Sequence, residues 1–167
     1  MSARPVPSPA TPAPTALIAA PFPAPPATAW RLPRLARAAL WAMLAVQLIT
    51  GLWQQVLPRA FYDVFPGFGM EWVSPDGPYN EHLLRDVGGL NLALAFLIGL
   101  ALARPTPTLA RGVSVAVLIA QVPHFLYHAA HLDLLPTTLD RASQTGALAL
   151  LIVLPVVALL ALHDARH

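Results

Sequence analysis

The chain has 167 residues, of which 56% are hydrophobic and 11% charged, with a mean hydropathy of +0.59; a soluble domain seldom combines the two, so the composition is that of a membrane protein. Cysteine is absent, which excludes disulfides, thiolate metal sites, iron–sulfur clusters and cysteine nucleophiles together. Lysine is absent too, so the net charge of +2 rests on ten arginines, and without a basic patch interleaved with aromatics the high pI does not point to nucleic acid as a partner.

In chain order, residues 1–33 carry ten of the nineteen prolines, mixed with Ala, Thr and Ser. No apolar period runs through them, so this segment is expected to be a disordered or polyproline-like tail. The first apolar run, Leu35 to Leu57, reaches roughly 34 Å as a helix, enough to cross a bilayer. It exceeds the apolar region of a signal peptide and has no small-residue cleavage motif close behind, so a retained helix is expected.

The following loop reads AFYDVFPGFGMEWVSPDGPYNEHLLRD. Its aromatic residues and its Pro-Gly and Asp-Gly turn pairs fit either a belt at the headgroup level or a lid over a polar site. Asn80 is placed to cap the next helix. The second run, His82 to Ala103, has Arg85, Asp86 and Asn91 in its first half. Gly88 and Gly89 would let a neighbouring helix approach closely, and the third helix is expected there, beside Asp86.

The third run, Val113 to Leu135, contains Gln121, His124, His128 and His131 at spacings of three, four and three. Those intervals put all four on one helix face. The fourth run, Ala142 to Leu162, has Gln144 near its start and Pro155 as an expected kink. The expected fold is therefore all-α: an antiparallel four-helix bundle in the membrane over residues 34–163, behind the proline-rich tail.

Arginine placement sets the expected orientation. Arg4, Arg31, Arg34, Arg37, Arg104, Arg111 and Arg166 fall on one side, against Arg59, Arg85 and Arg141 on the other. The first side is then cytoplasmic, with both termini inside, as for a multi-pass protein of a bacterial cytoplasmic membrane. Lipid is the expected surrounding, and a second copy or another membrane protein a further possible partner.

This topology brings His82, Asp86, Asn91, Arg85, Arg141 and Gln144 to the depth of the histidines as candidate ligand-binding residues. His124, His128 and His131, with Asp86 and Glu81, are candidate metal ligands. Two adjacent imidazoles can meet one ion, but His124 and His131 stand roughly 10 Å apart along the axis, so a metal would need a group from the second helix. Haem b with one axial histidine, a proton or small-molecule pocket with Asp86 beside a histidine, and a structural network that only joins helices are the other readings. No catalytic residue is identified. Phe125 stands where a zinc metalloprotease of the HExxH type has its glutamate, and Ser74, Ser114 and Ser143 lie in no nucleophile elbow.

The elements DGPYNEHLxRDxGxLN and PHxxYHxxH resemble a group of small four-helix integral membrane proteins of actinobacteria to which no reaction is assigned. The resemblance spans about Trp41 to Leu162. Helix number and size alone are also similar, more distantly, to DoxX-like families. The resemblance implies fold and location, not chemistry, and leaves the binding and structural readings side by side.

Overall fold

The computed structural model describes residues 30–164. The tail expected over 1–33 therefore lies, apart from its last four residues, outside the described residues. The helices are α1 (Arg34–Val56), α2 (Pro58–Val64), α3 (Glu81–Ala103), α4 (Pro107–Ala130) and α5 (Thr138–Asp164). Four of them, α1, α3, α4 and α5, are long and apolar enough to cross a membrane. They form a ring in which α1 packs on α3, α3 on α4, α4 on α5 and α5 on α1.

Local chemistry explains where the helices begin. Asn80 Oδ1 accepts the Leu83 N–H at 3.1 Å and opens α3, as its sequence position predicts. Thr106 Oγ1 accepts the Leu109 N–H at 3.1 Å, and Pro107 supplies the first helical residue of α4. Thr137 Oγ1 accepts the Asp140 N–H at 3.0 Å and donates to Asp140 Oδ2 at 2.5 Å, so α5 opens on a reciprocal cap.

These caps correct the expected third span. It runs over Pro107–Ala130 instead of Val113 to Leu135, because the Thr-Pro cap starts it earlier and a 3-10 turn, Leu132–Leu134, takes over at its end. Likewise α5 begins at Thr138, before the expected Ala142. The loop after α1 has structure of its own: α2, a two-residue hairpin pairing β1 (Pro66–Gly67) with β2 (Met70–Glu71), and a 3-10 turn at Ser74–Asp76.

The two halves of the bundle differ. Where α1 and α4 begin, Ala36, Leu40, Met43, Ile98, Ala101, Ala110, Val117, Ala158 and Leu162 form one dry cluster. Alanine supplies four of those nine residues, which lets the helices approach closely where lipid offers no hydrophobic drive between them. At the other end the buried residues include Gln47, Gln54, Asp140 and Gln144, together with Phe61, Trp72 and Leu135. Gly51 and Gly88 bring α1 and α3 together there: a Cβ on Gly88 would lie 2.8 Å from Gln54 Cβ and 3.2 Å from the Gly51 carbonyl. The glycines of α3 thus admit α1, not the third span as expected, because α1 offers a matching glycine.

Candidate functional site

The histidine stripe occupies the last turns of α4. The rings of His124 and His128 meet edge to face with centroids 4.6 Å apart. His124 is exposed, whereas His128 keeps only 12% of its side chain accessible. His131 is the C-cap residue of the helix. Its ring stacks on Tyr127 at 4.3 Å, and its Nδ1 lies 2.7 Å from the Tyr127 carbonyl. The three imidazoles do not converge on one point.

The acidic partner of the stripe comes from the loop. Asp76 Oδ2 lies 3.7 Å from His128 Nδ1, with 26% of the Asp76 side chain exposed. The 3-10 turn that carries Asp76 is held by the Tyr62 hydroxyl, which donates to the carbonyls of Gly77 at 2.6 Å and Ser74 at 3.3 Å. Gly77 follows at φ 147°, a conformation glycine adopts without strain. Burial pushes the Asp76 carboxyl above the usual carboxylate range, against a smaller downward pull from His124 and His131. Sequence reasoning counted Asp76 only among the external charges. The Asp-Gly turn pair was the one local signal, and it says nothing about which helix the turn folds against.

The candidates on α3 are engaged elsewhere. His82 Nε2 and Asp86 Oδ2 pair at 3.3 Å, one turn apart on an exposed face. Asp86 was expected to orient a stripe histidine, but the histidine it pairs with is His82, and the carboxylate beside the stripe is Asp76. Glu81 pairs with Arg85 at 2.8 Å. The Arg85 guanidinium also donates to the Gln55 carbonyl, and the Gln55 amide donates back to the Arg85 carbonyl. Asn91 Nδ2 donates to Gln54 Oε1 at 2.9 Å. Arg85 and Asn91 thereby fasten α3 to α1.

The candidates on α5 reach the neighbouring loops. Arg141 donates from Nε and Nη2 to the Leu135 carbonyl at 3.1 and 3.0 Å. Gln144 Nε2 donates to the Trp72 carbonyl at 3.4 Å, which ties the loop to the bundle. Among the described residues, no group of three or more His, Asp or Glu is arranged to hold a metal ion.

Among the described residues at this end, three buried polar atoms have no hydrogen-bond partner within the protein: Trp72 Nε1, Gln121 Oε1 and Asp140 Oδ1. Leaving such a group unpaired costs about 1–3 kcal/mol, so each is a place where a further polar group would be welcomed. Trp72 and Asp140 both border Gln144, the first through its carbonyl and the second one turn earlier on α5. The set comprises one donor, Trp72 Nε1, and two acceptors, Gln121 Oε1 and Asp140 Oδ1. No protein-family model, curated protein or solved structure matches the chain.

Proposed function

We propose that this multi-pass membrane protein binds a small polar ligand in the loop-covered half of its bundle. The observation that carries the reading is the set of unanswered buried atoms, Trp72 Nε1, Asp140 Oδ1 and Gln121 Oε1, at the end where Asp76 meets His128. A molecule with both donors and acceptors suits such a set, which holds one donor and two acceptors. His128 and Asp76 would stand at the entrance and titrate with the surroundings. The arginine asymmetry supports a bacterial cytoplasmic membrane, with the loop outside and both ends of the bundle domain inside.

The direct test is native mass spectrometry, elemental analysis and an absorption spectrum on detergent-purified protein, wild type and His128→Ala. A stoichiometric small-molecule mass in the wild type, reduced in the variant, is expected. A stoichiometric metal or a Soret band lost in the variant would replace the small molecule by an ion or haem b at His124 or His128. No bound species, with His128→Ala altering thermal stability alone, would overturn the binding reading.

The pairings within the molecule support a second reading, a structural or accessory membrane subunit. Gln54 with Asn91 and Arg85 with Gln55 join helices without needing any ligand. That reading expects the last of these outcomes and no dependence of any bound species on His128.

A further inference from the structure

The loop-covered end of the bundle is acidic. Residues 57–86 and 131–141, which make up most of it, carry seven carboxylates and three arginines. Each arginine is already engaged: Arg59 with Asp63 at 2.8 Å, Arg85 with Glu81 at 2.8 Å, and Arg141 with the Leu135 carbonyl at 3.0 Å. Asp140 is the buried carboxylate of the set, with 5% of its surface exposed.

The protein answers one of the two Asp140 oxygens. Oδ2 accepts from the Thr137 hydroxyl at 2.5 Å, whereas Oδ1 is buried and has no hydrogen-bond partner within the protein. Among the described residues no arginine or histidine pairs with this carboxylate, although Arg141 follows it directly in sequence. A buried carboxylate without a positive partner is costly, so a cation brought to Oδ1 would be favoured by charge and by hydrogen bonding together. A divalent metal ion asks for more donors, and among the described residues no group of three or more His, Asp or Glu is arranged to hold one. An ammonium group asks for less, since one carboxylate and neutral acceptors satisfy its N–H bonds. The Trp72 carbonyl accepts from Gln144, one turn after Asp140 on α5, so the loop brings Trp72, itself buried, to this stretch of the helix. An indole is a favourable neighbour for an organic cation.

We infer that the polar ligand of this end is a small organic amine whose ammonium group pairs with Asp140 Oδ1. The inference rests on the ligand-binding reading and adds to it the charge of the ligand. The surplus of carboxylates around the loop would draw such a cation toward this end, and the three arginines, each held by another group, would not compete for Asp140.

The test is thermal unfolding of the detergent-purified full chain with added methyl-, ethyl- and butylammonium chloride, the matching alcohols and sodium chloride. At least one ammonium should raise Tm saturably, and neither the alcohols nor sodium chloride should do so. Asp140→Asn, which keeps the size of the side chain, should weaken the apparent affinity roughly tenfold or more, as removal of one partner of a buried charge pair does. Asp133→Asn, at an exposed carboxylate of the same end, should leave it unchanged. A response shared by the alcohols, which the wild type alone reveals, or equal weakening by the two variants would overturn the inference. No response to any ammonium would overturn it too, while a bound neutral or anionic species that depends on His128 would leave the binding reading beneath it standing.

Discussion

Asp76 holds a carboxyl group half-buried against a face of imidazoles, and that placement gives the loop a proton balance of its own. His124 and His128 on α4 and His131 at its C-cap are the titratable groups beside it. Burial raises its folded value, so loop closure is favoured when the carboxyl is protonated. The sign follows: this contribution is complete below the ordinary Asp range near ~3.9 and is lost as pH rises through the raised folded value. Hydrogen exchange over residues 72–79 should therefore quicken across that acid window. Asp76→Asn should remove the step, and an unchanged step in the variant would assign it to another group. The histidine stripe was legible because helical spacing is written in the sequence. Its partner was not, because periodicity is silent about where a loop folds back, and Asp86 competed as an acid on a readable helix.

At the level of helices, hydropathy located all four spans and capping decided where they begin. The Thr106-Pro107 pair outweighed the apolar pattern, which alone would have started α4 near Val113. A Gly88 packing role was readable, but its partner was not, since only the folded ring tells which neighbour brings a matching Gly51. Gly88→Ala should force α1 and α3 apart and destabilise the bundle by about 1–3 kcal/mol. Gly99→Ala, with nothing within 4 Å of its new Cβ, should be neutral or slightly stabilising through helix propensity. Detergent-titrated unfolding of the two variants compares them directly. Equal stability would mean that the Gly51–Gly88 contact yields at little cost.

Across the whole molecule, the charge pattern makes a prediction about direction. The absence of cysteine allows single-cysteine labelling without a background site. Phe68, with 97% of its surface exposed, sits at the hairpin of the loop. Phe68→Cys in intact cells should react with a membrane-impermeant maleimide, and Thr108→Cys only after the membrane is opened. The reverse pattern would invert the proposed topology. Composition made the four-span architecture legible, whereas the division into a mainly apolar half and a more polar half emerges only when the ring closes.

The mainly apolar half also sets what kind of passage this bundle can offer. Between the buried Gln47 and the end where α1 begins, a charge inside the bundle would meet a layer of Leu40, Met43, Ile98, Val117 and Leu162. Crossing such a layer costs a charge several kcal/mol. The interior of a lone bundle therefore opposes the passage of ions.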